Sequence, residues 1–125
     1  NSLRFAQIYF FAMCLFYNVF DVTGNLKMQN NAIGIILGNG WYNQRDRTVE
    51  GHMWYDVPKM ILQLEIEYED GTKEMIVSDN SWKTTTGPLL HDAIFTGEIY
   101  DARKDLGHWN RESYDDNIWE SALQV

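Results

Sequence analysis

A chain of 125 residues with 45% hydrophobic and 14% aromatic content is long enough to bury a core and too apolar to be disordered. Its net charge of −8 and pI near 4.7, with ten scattered basic residues, exclude a phosphate-neutralising nucleic-acid face and argue against an anionic membrane surface. A neutral ligand, a cationic ligand or another protein remains. Five Trp, seven Tyr and six Phe tilt the reading towards strands and supply the side chains that sugar- and protein-binding faces use.

The first element is an apolar stretch over residues 4–16, read as a buried strand. Its core, Ile8 to Phe16, is too short for a bilayer, which needs about 20 apolar residues, and it lacks a basic leader and a cleavage site. Cys14 is the only cysteine, so no internal disulfide can form, and it reads as a buried structural thiol. The chain opens at Asn1 without a Met and reads as one domain, residues 1–125, cut from a longer protein. The compartment is left open, with periplasm or secretion favoured.

Residues 20–26 read as a strand end running into a turn in which Asp21 and Thr23 hydrogen-bond backbone. Residues 31–37 (NAIGIIL) are short, β-branched and bounded by turn residues, which predicts a strand; Gly34 within it predicts close approach of a neighbouring backbone. Further on, Leu62, Leu64, Ile66 and Tyr68 alternate with Gln63, Glu65, Glu67 and Glu69, a period only a strand can use. Asp70-Gly71 predicts a tight two-residue turn, pairing Ile66 with Met75 and Leu64 with Val77 and setting Glu67 against Glu74. Residues 78–86 predict a short strand after an Asx turn, broken by Gly87-Pro88, and residues 96–103 another strand with its turn. The tail, residues 109–119, reads as a loop. No long 3.6-residue period and no repeat appears, so the fold class is all-β, an antiparallel β-sandwich of the jelly-roll, galactose-binding-like kind.

The string NAIGIILGNGWY resembles the N-terminal β-sandwich domain of bacterial α-L-rhamnosidases of the inverting glycoside-hydrolase type. The resemblance continues in order through FDVTGNL upstream, then LQLEIEYEDGTKE, SDNSWKTTTGPLL, GEIYDAR and NRESYDDNIWESA, from about Phe20 to Ala122. Family members usually carry another hairpin before the DVT strand, where here Phe16 passes almost directly to Tyr17-Asn18-Val19, so sugar or metal contacts supplied from it cannot be placed on this sequence. The resemblance implies a non-catalytic accessory domain whose partner is a catalytic (α/α)6 barrel in the same parent chain. It also implies rhamnose-containing glycan as a ligand to consider, with calcium as an assisting metal in some related modules. An autonomous calcium-assisted carbohydrate-binding module is the alternative.

Among the residues themselves, Asn39, Trp41, Tyr42 and Asn43 form the most functional-looking loop: an aromatic face packs on a sugar ring while amides read its hydroxyls. Trp54 on the following segment, residues 51–56, would complete that face. The plainer reading is that Trp41 plugs the core edge and the asparagines cap turns. Inverting hydrolysis needs two carboxylates about 6.5–9.5 Å apart; Glu98 and Asp101, three apart on a strand, face opposite ways. Glu98, Tyr100, Asp101 and Arg103 therefore read as a domain-interface set, with Asp101 and Arg103 able to pair. Asp92, Asp115, Asp116 and Asn117 offer calcium ligands only without the spacing of a known loop, so solvated turns are preferred. His52, His91 and His108 show no metal spacing.

Overall fold

The alternation over residues 62–68 becomes the structural centre of the domain. The computed structural model describes residues 2–12, 16–44, 53–54 and 56–125. Strand β1 (Leu3–Ala12) pairs antiparallel with β2 (Phe16–Asp21) on one side and with β5 (Ile61–Tyr68) on the other, and β5 pairs with β6 (Lys73–Val77). The four-stranded sheet thus runs β2-β1-β5-β6. Three two-stranded ribbons surround it: β3 (Asn43–Gln44) with β4 (Met53–Trp54), β7 (Lys83–Thr84) with β10 (Glu120–Ser121), and β8 (Leu89–Ala93) with β9 (Gly97–Tyr100). All pairings are antiparallel, and the only helical element among the described residues is a 3-10 turn, Ala102–Lys104.

Even-numbered residues of β5 face inward, where Ala6 and Ile8 of β1 join them. Ala6, Leu62, Leu64 and Ile66 are buried, and Leu3, Ile8, Val22, Leu26, Ile33, Ile35, Tyr68 and Trp82 pack against them. Each buried Leu or Ile is worth about 1.5–3 kcal/mol relative to exposure, so this small cluster dominates the hydrophobic term. A bulge at Arg4 sets Leu3 opposite Tyr68 and Phe5 opposite Glu67, which returns Leu3 to the core face.

Residues 31–37 form no paired strand, contrary to the sequence expectation. The segment brings Ile33 and Ile35 against the core without joining a ladder. Gly34 does mark a close approach, though to a side chain: a Cβ there would lie 2.2 Å from Cζ3 of Trp109. The second layer of the sandwich is therefore built largely of extended coil. Where the chain turns in from β2, Thr23 substitutes for a ladder partner: Ala6 N–H donates to its Oγ1 at 2.9 Å, and its own N–H donates to Asp21 at 2.9 Å.

The β5–β6 register also differs from expectation. Leu64 faces Ile76, Ile66 faces Glu74 and Glu67 faces Lys73, with an ion pair of 3.1 Å between the last two. The cause is the loop. Tyr68 N–H donates to Thr72 O, and Gly71 N–H to Tyr68 O, both at 2.9 Å, so Glu69, Asp70 and Gly71 form a three-residue connection with Gly71 at φ +82°. One extra loop residue shifts the return strand by one and moves Met75 and Val77 to the outer face. The strand expected over residues 96–103 ends at Tyr100, because Asp101 caps the 3-10 turn that holds Arg103. The Asx turn before β7 is present, with Ser81 N–H on Asp79 at 2.8 Å. The tail is mostly turns, pinned by Trp109 under Gly34, by Tyr114 stacking edge-on against Trp119 at 5.5 Å, and by β10. Cys14 lies outside the described residues.

Gly34→Ala should lower unfolding free energy by about 1–3 kcal/mol, the usual cost of overpacking, as read from urea melts. In a Trp109→Leu background the same change should cost markedly less. An equal cost in both backgrounds would show that the Trp109 ring is not what excludes the methyl.

Candidate functional site

Residues 38–42 (GNGWY) form a hydrogen-bonded turn that leads into β3. Tyr42 and Asn43 N–H both donate to Asn39 O, at 3.0 and 3.1 Å, and Gly40 occupies the left-handed region at φ +47°, where a side chain would be strained. Gln44 is 2% exposed, and its amide donates to Trp41 O at 3.0 Å, which closes the turn from below.

Asp92 on β8 anchors this turn from 52 residues away in sequence. Its Oδ1 accepts from Asn39 Nδ2 at 2.9 Å and its Oδ2 from Gly40 N–H at 3.0 Å. A Cβ on Gly38 would come within 2.7 Å of the same Oδ2, so only glycine lets the carboxylate sit this close. The donor–acceptor logic then runs outward. A carboxylate only accepts, so Asn39 must turn its NH2 to Asp92 and its Oδ1 to Asn43. Asn43 must therefore offer its NH2, at 2.7 Å, which leaves its own Oδ1 buried without a hydrogen-bond partner. Above this network the rings of Trp41 and Phe95 meet at 5.5 Å and 52°, and both residues are exposed.

Of the expected sugar-binding set, Asn39, Trp41, Tyr42 and Asn43 share one turn, and Trp54 lies opposite Asn43 in the β3–β4 register. Residues 51, 52 and 55 lie outside the described residues. Sequence reasoning weighed Asp92 only as a metal ligand and passed over Phe95. Nothing in local spacing links either to residue 39 or 41.

The expected interface set is partly rearranged. Glu98 and Tyr100 are exposed on β9. Asp101 accepts from Arg103 N–H at 3.1 Å, from Nε at 2.8 Å and from Nη2 at 2.7 Å, so the expected pair forms, but as a turn cap rather than along a strand. Its carboxyl is held below the usual range, first by the Arg103 side chain and then by the Arg103 backbone. For Asp92, partial burial pushes the carboxyl up, and the hydrogen bonds from the Asn39 and Gly40 backbone and the Asn39 side chain outweigh it and hold it low. A general acid needs the opposite shift. Asp115 is likewise spent on Asn117 N–H, at 3.1 Å. Among the described residues no group of three or more His, Cys, Asp or Glu is gathered as a metal site would need.

A family model described as the α-L-rhamnosidase N-terminal domain matches residues 7–125. The chain belongs to that family. An α-L-rhamnosidase of Formosa agariphila is 39% identical over 115 residues, covering 88% of this chain and 12% of the relative. One of Streptomyces avermitilis is 35% identical over 103 residues, covering 82% of this chain and 10% of the relative. The chain thus spans about a tenth of the length of these relatives. Among solved structures, the α-L-rhamnosidase of Dictyoglumus thermophilum superimposes with a TM-score of 0.81 at 33% identity, over 100% of this chain and 16% of that one. The Streptomyces avermitilis enzyme, solved in complex with L-rhamnose, gives 0.81 at 23% identity over 100% of this chain and 15% of that one, a likeness of fold.

Asp92→Asn should cost about 1–3 kcal/mol at neutral pH, because an amide NH2 then faces the Gly40 or Asn39 donor. The folded carboxyl ionises below its unfolded counterpart, so its contribution is complete above the unfolded value near ~4 and is lost as pH falls through the folded value. The wild-type advantage over Asp92→Asn, from urea melts, should be flat from neutral pH downward and shrink in that acid window. A difference that stays constant through acid would refute the anchor.

Proposed function

We propose that this chain is a non-catalytic accessory domain of a bacterial α-L-rhamnosidase, packing beside a catalytic (α/α)6 barrel and offering the Asn39–Asn43 turn to rhamnose-containing glycan. The carrying observation is that the family match fills the chain while the chain fills only about a tenth of its rhamnosidase relatives. The carboxylates support the same reading. Asp92 and Asp101 each spend both oxygens on fixed donors and are held low, which suits anchors and not a proton donor.

Sugar recognition rests on the Trp41–Phe95 platform above a rigid amide network. Trp41 gives the ring face, while Asn39, Tyr42 and Asn43 are held by the turn beneath it. Asp92 pre-organises that turn, so little ordering is needed when a ligand arrives. Glu98 and Tyr100, with the Asp101–Arg103 cap, form an exposed edge suited to contact with a neighbouring domain.

The purified chain should release no rhamnose from an aryl α-L-rhamnoside above the uncatalysed blank; sustained turnover would overturn the non-catalytic reading. In calorimetry with L-rhamnose, run with and without calcium, heat should appear, and Trp41→Ala should weaken binding at least about fivefold, the scale of one aromatic contact. An absence of heat in both conditions would remove the sugar and leave only the supporting role.

A further inference from the structure

The four-stranded sheet is apolar on both faces, and only one of them is covered by the described part of the chain. The register sets the outward-facing residues in rows: Tyr17 and Ile61, across the backbone of Phe11; then Val19, Gln63 and Val77, across the backbone of Tyr9; then Asp21, Gln7, Glu65 and Met75. Ile61 and Met75 are 62% and 59% exposed, and Tyr17, Val19 and Val77 are exposed beside them. Central strands that read as near-continuous apolar runs belong to sheets packed on both sides, and β1 (LRFAQIYFFA) is such a run. Exposed apolar side chains gathered on one sheet face mark an interaction site.

We propose that the outer face of the β2-β1-β5-β6 sheet is the docking surface for the remainder of the parent polypeptide. The proposal rests on the reading of this chain as one domain of a longer protein, and it identifies which surface the rest of that protein covers. Two observations choose this occupant over a second copy. First, roughly nine-tenths of each rhamnosidase relative lies outside the matched segment, so a large covalently attached body is available. Second, the face is graded in charge. Arg4 and Lys73 are both turned to Glu67, at 2.6 and 3.1 Å, while Asp21 and Glu65 edge the apolar rows as carboxylates. A second copy would set acidic row against acidic row or leave it unmatched, and like charges held together oppose association. The fitting partner surface is apolar at its centre with basic residues towards the Asp21–Glu65 row.

Two methionines make the test. Met75 lies on the proposed surface and Met28 on the exposed turn of residues 27–31, 70% accessible. Sulfoxide formation under dilute peroxide follows exposure. In the full-length polypeptide that carries this chain, Met75 should oxidise at least about tenfold more slowly than in the same protein in denaturant, with Met28 reporting that the reagent acts equally throughout. In the 125-residue chain alone, Met75 should oxidise near its denatured rate. Full reactivity of Met75 in the longer protein would overturn the proposal. Protection already present in the 125-residue chain, with a doubled mass by light scattering, would give the face to a second copy and also overturn it. Rhamnoside cleavage by the same full-length preparation reports separately on the parent's activity, so the surface can fail while that reading stands, or the reverse.

Discussion

Extended backbone that covers a core without pairing leaves its amides and carbonyls to be satisfied by something other than a ladder. The layer over Ala6, Leu62, Leu64 and Ile66 is in that position, and short polar side chains answer it. Asn31 bridges Lys27 N–H, Lys27 O and Gln29 O at 2.9, 2.9 and 3.0 Å. Ser78 closes the end of β5 by accepting from Leu62 N–H at 3.0 Å. Asp21, Asp70, Asp79, Asp101, Asp105 and Asp115 each accept the N–H two residues on. This one device, the Asx turn, accounts for much of the acidic composition.

That origin changes what the charge means. A net −8 suggests cations or metals at first sight, yet these carboxylates are already committed to backbone donors. Asp21, Asp70 and Asp79 are held below the ordinary range chiefly by the side-chain hydroxyls of Thr23, Thr72 and Ser81, with the backbone of the same residues second. A depressed carboxyl contributes stability above its unfolded pKa and loses it as pH falls through the folded value. The Asp21 and Asp79 turns lead out of the sheet and the Asp70 turn closes its β5–β6 hairpin, so acid should loosen these connections before the core of Leu and Ile, which does not titrate.

What could be read from residue types was whatever depended on neighbours in sequence. The alternation over residues 62–68 revealed β5 and its buried face, and Asp79 and Asp21 revealed their turns. The β6 register was out of reach because Asp70-Gly71 fits a two-residue turn as well as the last two positions of a three-residue one, and that choice decides which side Met75 faces. Residues 31–37 carry strand composition because they are extended and half-buried, which composition cannot distinguish from being paired. Gly34 disclosed a close approach without disclosing that Trp109, 75 positions on, is what approaches. In the candidate site the loop was legible and its anchor was not. Asp92 meets Asn39 only through the β8–β9 ribbon, and no local pattern records that.

The anchor explains why the turn is a better ligand candidate than any acidic cluster. Asp92 fixes the amide of Asn39, Asn39 fixes that of Asn43, and the sequence of donors ends on a buried Asn43 oxygen with nothing to accept. An unmatched buried acceptor costs about 1–3 kcal/mol, and such a cost persists only where the surroundings dictate it. Here the dictating element is a pair of glycines that admit the carboxylate, Gly38 by its missing Cβ and Gly40 by its left-handed φ. The same elements that make the turn rigid therefore make it polar beneath and aromatic above. The outer sheet face offers neither feature: its charged groups sit towards one end and its exposed apolar side chains are spread over β2, β5 and β6. Broad apolar area suits a domain, while a small aromatic ledge over fixed amides suits a small polar ligand, and the sheet separates the two surfaces because odd and even residues cannot face the same way.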